Sequence, residues 1–235
     1  LYSTFLNRAF DQLLMDAGLH HEGVTIVLDR AGITGTDGAS HNGMWDMAMC
    51  GIVPGLMLSA PRDCQHLVSV LNEAVDINDR PTVIRYSKDP MPDDIRVVAS
   101  HDGLDVLRDG PGDGILLVAH GQLCAPALAA VDQLDFPVRV VSPRWSLPVC
   151  RGLIEEAAEA RAVVSVEDGL VVSGLGSHLA DALSRRGLWR PIRNLGIPQR
   201  YLGHDSRSAI MAELGLDAPG IADAVSQLVS QLGGE

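Results

Sequence analysis

Basic charge is in short supply. The 235 residues carry 18 Lys and Arg against 30 Asp and Glu, a net charge of −12. A broad nucleic-acid-binding surface is thereby excluded, and any phosphate must be met by a local basic pocket. No apolar run approaches the roughly 18 residues needed to span a bilayer, so the chain reads as soluble, with no membrane partner. The four cysteines, Cys50, Cys64, Cys124 and Cys150, form no CxxC pair and show no metal-ligand spacing. They read as small core residues in a reducing cytosol, which gives a cytoplasmic expectation. Aromatics are few, three each of Trp, Tyr and Phe, but hydrophobic residues reach 46%. That balance excludes a disordered chain, a collagen-like chain and a disulfide scaffold. No signal peptide precedes the first helical pattern, and the chain opens abruptly on Leu1, as a piece of a longer polypeptide would.

What is present is alternation. Apolar residues at Phe5, Leu6, Ala9, Phe10, Leu13, Leu14 and Ala17 predict a helix ending at Gly18. A buried strand over Val24 to Leu28 follows, then a long polar loop, a strand at Leu56 to Ser59, a helix from Asp63 to Ile77 and a strand at Thr82 to Tyr86. From Ser87 to Gly114 prolines and glycines break the pattern, leaving a connector with at most one strand near Ile95 to Ala99. Strands at Ile115 to Ala119, Val138 to Val141, Ala162 to Val166 and Pro191 to Leu195 then alternate with helices, and two short helices close the chain. The expected class is α/β with mostly parallel sheets, in two domains: residues 1–100 and 101–235. The first is too small to be a finished domain, so strands missing from its sheet edges are expected upstream.

The loop Asp29 to Gly43 follows the carboxyl end of a strand, where open α/β sheets place ligands. Four glycines in twelve residues, from Gly32 to Gly43, let the backbone approach a ligand closely. Arg30, Asp29, Asp37 and His41 add an anion binder, hydroxyl acceptors and a proton shuttle. On composition alone the same loop could equally be a solvated turn.

Tyr2-Ser-Thr-Phe5-Leu-Asn-Arg8-Ala-Phe-Asp11, followed by Asp29-Arg-Ala-Gly-x-x-Gly-x-Asp37-Gly-x-x-His41-x-Gly43, closely resembles the 1-deoxy-D-xylulose-5-phosphate synthase family, thiamine-diphosphate enzymes related to transketolase. Pro81 to Tyr86, Val166 to Gly169, Asn194 to Pro198 and His204 to Arg207 continue the match in order along the chain. The resemblance implies a pyrimidine-binding domain lacking its first portion, followed by a transketolase C-terminal domain. It implies that Phe5 stacks on the aminopyrimidine with Arg8 beside it. Tyr2, Arg30 and Arg85 would hold the phosphate of glyceraldehyde 3-phosphate. Asp37 would bind an acceptor hydroxyl, and His41 would move protons near the reacting carbon. The implied reaction condenses pyruvate with glyceraldehyde 3-phosphate and releases carbon dioxide, for isoprenoid and thiamine precursors. A homodimer and an upstream diphosphate-binding domain of the same polypeptide are also implied. That domain would carry the Mg2+ ligands and a glutamate that activates the cofactor; neither lies in this chain, which alone is expected to be inactive.

Some positions depart from the family pattern. Where it has Gly-Pro-Thr-His-Gln-Gly, Arg-Tyr-Pro-Arg-Gly and His-Gly-Ser-Arg, this chain has Gly38-Ala-Ser-His41-Asn-Gly43, Arg85-Tyr86-Ser87-Lys88-Asp89 and His204-Asp205-Ser206-Arg207. The second change bears on the loop beside Arg85 and so on acceptor affinity. Other features read as structural: Gly112-Asp113-Gly114 as a connector turn, His20-His21 as a solvated helix end, Gly174-Leu-Gly176-Ser177 as a helix start, and Glu167-Asp168 as an interface or capping pair. The competing functional readings are a split transketolase, a 2-oxo-acid dehydrogenase β-type subunit, and a noncatalytic dimerisation or regulatory module.

Overall fold

In a computed structural model of the chain, which describes residues 1–233, nine strands form two sheets, and eight α-helices accompany them among the described residues. The first sheet is three parallel strands in the order β1-β3-β2: β1 (Thr25–Leu28), β2 (Met57–Ser59) and β3 (Thr82–Arg85). All four β3 residues are buried, as expected of a central strand covered on both faces. Helix α3 (Cys64–Asp76) makes the crossover from β2 to β3, and the Asp63 carboxylate caps its first turn by accepting the His66 N–H at 2.8 Å. Cys64, expected in the core, is exposed at the start of this helix.

The N-terminal helix departs from the single regular helix predicted. A 3-10 turn over Ser3–Phe5 leads into α1 (Leu6–Asp11), which widens into a π-helix over Gln12–Gly18. Leu19 N–H donates to the Leu14 carbonyl at 3.1 Å and Glu22 N–H to the Ala17 carbonyl at 2.9 Å, spans of five residues each. Leu6, Leu13 and Ala17 face the core, whereas Phe5 is 45% exposed. Helix α2 (Asp46–Cys50) lies after the polar loop.

The second sheet has six strands in the order β4-β5-β7-β6-β8-β9. They are β4 (Ala99–His101), β5 (Leu104–Arg108), β6 (Ile115–Ala119), β7 (Val138–Pro143), β8 (Ala162–Leu170) and β9 (Ile192–Ile197). The last four are parallel, but β4 and β5 form an antiparallel hairpin, and β5 pairs antiparallel with β7. The connector thus holds two strands in place of the one expected near Ile95. Their turn is Asp102-Gly103, with φ of 45° and 81°. Positive φ at both central residues is what a two-residue hairpin turn with the right twist requires, and Asp-Gly supplies it cheaply.

Helices α4 (Cys124–Val131), α7 (Arg207–Glu213) and α8 (Ala218–Leu232) cover one face of this sheet; α5 (Arg151–Glu159) and α6 (Leu175–Ser184) cover part of the other. The remainder of that second face meets the first domain. Leu6, Leu28, Met47, Leu58 and Val83 form one continuous apolar cluster with Leu116, Val118, Leu153 and Leu175. Each such fully buried side chain contributes about 1.5–3 kcal/mol, so the two sheets are held by a shared core. The free edge of β2 is covered too. Leu58 N–H donates to the Leu147 carbonyl at 3.0 Å, and Ser146 N–H donates to the Leu58 carbonyl at 2.7 Å. No helix among the described residues is long and apolar enough to cross a membrane.

Candidate active site

Strands β1 and β3 are parallel neighbours in register Leu28↔Arg85. The segments leaving their carboxyl ends therefore run side by side, the loop Asp29 to Gly43 from one and Tyr86 to Asp89 from the other. The N-terminal turn joins them: Ser3 N–H donates to the Asp29 carbonyl at 2.7 Å, and Asp29 N–H to the Leu1 carbonyl at 2.8 Å. The loop closes on itself through Gly32 and Gly43, which exchange backbone hydrogen bonds of 3.0 and 2.8 Å. Buried Asn42 accepts the Thr34 N–H at 2.9 Å. Arg30 stands at φ 57°, a left-handed conformation uncommon outside glycine and here imposed at the ligand end of the strand.

These segments line an open cleft of about 440 Å³ formed by Tyr2, Arg30, Asp37, His41 and Lys88. Lys88 Nζ donates to both Asp37 oxygens at 3.0 Å, and the Tyr2 hydroxyl donates to Asp37 Oδ2 at 3.1 Å. The Lys88 hydrogen bond, then that of Tyr2, holds the Asp37 carboxyl below its usual range. Burial and the Asp37 carboxylate push the Tyr2 phenol up, keeping it a donor. The Arg30 guanidinium lies over the Tyr2 ring, 4.8 Å from its centroid. Phe5 meets Tyr2 edge-on at 5.5 Å and His41 edge-on at 6.4 Å. Ser40 Oγ sits 2.9 Å from His41 Nδ1; His41 Nε2 has no partner among the described residues.

Tyr2, Arg30, Asp37 and His41 are thus brought together in one cleft, with Phe5 beside it. Arg8 follows Phe5 on the next turn, exposed and without an ion pair among the described residues. Arg85 is not in the cleft. It was expected on the acceptor phosphate, but as the last residue of the central strand it turns inward and is 4% exposed. Its Nε donates to Asp46 Oδ2 at 2.7 Å and its terminal nitrogen to the Asp168 carbonyl at 2.7 Å. Burial works against its charge, but Asp46 and Asp168 outweigh that and hold its pKa up. The cation facing Asp37 is Lys88, a residue outside the set the resemblance implies. Two signals were available: it is the one lysine of the chain, and it occupies the place of the second Arg in Arg-Tyr-Pro-Arg-Gly.

The back of the site belongs to the C-terminal domain. Register between β8 and β9 slips between Val166 and Leu170, and that irregularity re-aims Glu167 and Asp168. Glu167 accepts the N–H groups of Leu175 and Gly176 at 2.9 and 3.3 Å, the helix-start partner that α6 lacks in its own cap residue. Burial pushes its carboxyl up to about 7. Asp168 Oδ1 accepts the Ile33 N–H at 3.1 Å, and Arg207 pairs with Asp168 Oδ2 at 2.7 Å. The pair therefore does cap and bridge as expected. His120 is buried with neither ring nitrogen bonded, and burial, then Arg85, drives its pKa far down. It lines a void of about 10 Å³ with Arg85, Ser87 and Gln122, room for a single water. No group of three or more metal-ligating side chains occurs among the described residues.

Comparison with known proteins adds an independent view. Residues 1–93 match the transketolase pyrimidine-binding domain, and residues 104–221 match the transketolase C-terminal domain. The whole chain is 92% identical to 38% of the 1-deoxy-D-xylulose-5-phosphate synthase of Cutibacterium acnes. It is 50% identical to 37% of the 1-deoxy-D-xylulose-5-phosphate synthase 2 of Streptomyces avermitilis. The chain therefore spans well under half the length of these relatives. Among solved structures, a split-gene transketolase described as an inactive β4 tetramer is similar at a TM-score of 0.83 and 27% identity, over 96% of this chain and 74% of that one. A transketolase variant of Pichia stipitis shares the fold, with a TM-score of 0.78 at 17% identity, over 100% of this chain and 34% of that one.

Proposed function

From the premise that the chain belongs to the transketolase family and corresponds to the C-terminal portion of 1-deoxy-D-xylulose-5-phosphate synthases, we propose that it forms the acceptor half of such an active site. The enzyme would condense pyruvate with glyceraldehyde 3-phosphate, releasing carbon dioxide and giving 1-deoxyxylulose 5-phosphate. The observation that carries the reading is the convergence of Tyr2, Arg30, Asp37, His41 and Lys88 on one cleft beside an exposed Phe5.

Phe5 offers a ring 45% exposed at a polar site, which suits a flat heteroaromatic ring, and the pyrimidine half of thiamine diphosphate fits there with Arg8 alongside. When bound, that cofactor supplies the nucleophilic carbon and the electron sink for decarboxylation. The diphosphate and its Mg2+ would be held by the upstream domain. Arg30 and Lys88 would grip the acceptor phosphate by charge-assisted hydrogen bonds, with the Tyr2 hydroxyl as a third donor. Lys88 would thereby fill the phosphate role that the resemblance implies for Arg85, which braces the floor instead. Asp37, kept ionised by Lys88 and Tyr2, would accept from an acceptor hydroxyl. In the tautomer in which Ser40 donates to Nδ1, His41 would carry its proton on Nε2 and deliver it to the acceptor's carbonyl oxygen as the carbon–carbon bond forms. A homodimer with both domains at the interface completes the proposal.

The test is the complete polypeptide given thiamine diphosphate, Mg2+, pyruvate and glyceraldehyde 3-phosphate. Release of carbon dioxide with formation of deoxyxylulose phosphate supports the reading; absence of that product ends it. The likeness to a split-gene transketolase favours one alternative, ketol transfer from xylulose 5-phosphate, for which the same assay with that donor would release no carbon dioxide.

A further inference from the structure

The two walls of the cleft leave different strands, so something must set the gap between Asp37 and Lys88. Arg207, at the start of α7, reaches both walls. Its NH1 donates to the Ile33 carbonyl at 2.8 Å, inside the Asp29 to Gly43 loop, and its Nε donates to Asp89 Oδ2 at 2.6 Å, next to Lys88. Its remaining nitrogen is pinned by Asp168 at 2.7 Å. Gln122 works on the same segment from the other side: it bonds the Ser87 hydroxyl and donates to the Pro90 carbonyl at 3.2 Å. Ser87 and Asp89 are two of the positions where this chain departs from Arg-Tyr-Pro-Arg-Gly, and both departures place a polar side chain on a C-terminal-domain partner.

We propose that Asp89 and Arg207 form a latch that positions Lys88 against the acceptor site, taking over in this chain the shaping done by proline and glycine in Arg-Tyr-Pro-Arg-Gly. Proline restricts φ and thereby stiffens a turn; Ser87 does not, so the segment needs anchors from outside itself. An exposed ion pair usually gains little, because two long side chains must be ordered to make it. Here Arg207 is already ordered by Asp168 and the Ile33 carbonyl, its side chain only 11% exposed, so Asp89 alone loses freedom. The latch rests on the proposed acceptor site, and neither Asp89 nor Arg207 touches substrate: both are positioning residues.

The experiment uses the complete polypeptide. Asp89→Asn should speed amide hydrogen exchange in peptides covering residues 86–92 by about 3- to 10-fold, and raise the acceptor KM by a similar factor with kcat and pyruvate KM unchanged. Asp89→Glu should recover most of both. In an Arg207→Gln background, Asp89→Asn should add nothing further to exchange, because the partner is already gone. Exchange unaltered by Asp89→Asn, or effects of the two variants that simply add, would overturn the latch. The exchange readout does not need turnover, so an enzyme that makes no deoxyxylulose phosphate would remove the acceptor reading while leaving the latch to stand or fall on exchange alone.

Discussion

Replacing Asp46 by alanine separates a structural from a substrate-binding role for Arg85. Asp46 is 1% exposed and Arg85 4%, and their 2.7 Å contact is supported by Met47 N–H on Asp46 Oδ1 at 2.8 Å and Ser3 Oγ on Oδ2 at 3.2 Å. Asp46→Ala removes the carboxylate that pairs directly with the guanidinium and leaves it one hydrogen bond, to the Asp168 carbonyl. Breaking a buried pair by removing one partner costs about 3–5 kcal/mol. The Met47 amide, left without its acceptor, adds to this, whereas the Ser3 hydroxyl keeps the Gly43 carbonyl at 3.1 Å. Arg85→Met should cost somewhat less, about 3 kcal/mol, because Asp46 keeps those two donors. The double variant Asp46→Leu/Arg85→Met removes both charges and should recover most of the loss. Urea unfolding followed by circular dichroism reads all three. If Asp46→Ala lies within about 1 kcal/mol of wild type, or if the double variant is as unstable as the two singles summed, the buried-pair account is wrong. In the complete enzyme the double variant should also keep its acceptor KM. A large rise there would return Arg85 to the phosphate.

Two further expectations concern the cleft and the interior. Lys88→Ala should raise the acceptor KM well above that for pyruvate, whereas His41→Asn should lower kcat by about 10²–10⁴ with little change in either KM; steady-state kinetics with each substrate varied distinguishes them. Stability against pH should show two opposed slopes. Burial lowers His66 to about 4, so its unfolded form binds protons first and stability falls as pH drops from about 6.5 towards 4. Glu167, raised to about 7, does the opposite: its stabilisation is full below about 4.5 and fades as pH rises to 7. Each amounts to roughly 3 kcal/mol and they offset between pH 4.5 and 6.5. Glu167→Gln should unmask the histidine slope, giving stability that climbs with pH in that window; a curve parallel to wild type in urea melts across pH would refute this.

Local pattern made most strands and helices legible, because buried parallel strands such as Thr82 to Arg85 are short β-branched runs and α3 carries its own cap in Asp63. It could not reveal partners distant in sequence. Asp102-Gly103 is a hairpin turn sequence, but its flanking strands are only three and five residues long and lie among prolines and glycines that mask their alternation. Arg30, Asp37 and His41 were readable because one loop holds them. Arg85 and Lys88 are only three residues apart, and which of them points outward depends on Asp46 and Asp168, in two other elements. The clamp through Arg207 lies over a hundred residues from either wall it holds, beyond the reach of any motif.

Gly32 and Gly35 carry φ of 72° and 76°, and a side chain on the first would run into Asp168 and on the second into the Arg207 backbone. Loop and C-terminal domain are therefore mould and cast. A hybrid gene whose crossover falls between residues 93 and 104, the natural seam between the two matched domains, would pair a mould from one lineage with a cast from another. Such a recombinant should fit only when the loop donor brings glycine to positions 32 and 35 and the other donor brings the backbone course of Ser206-Arg207 and the side chain of Asp168 that press on them.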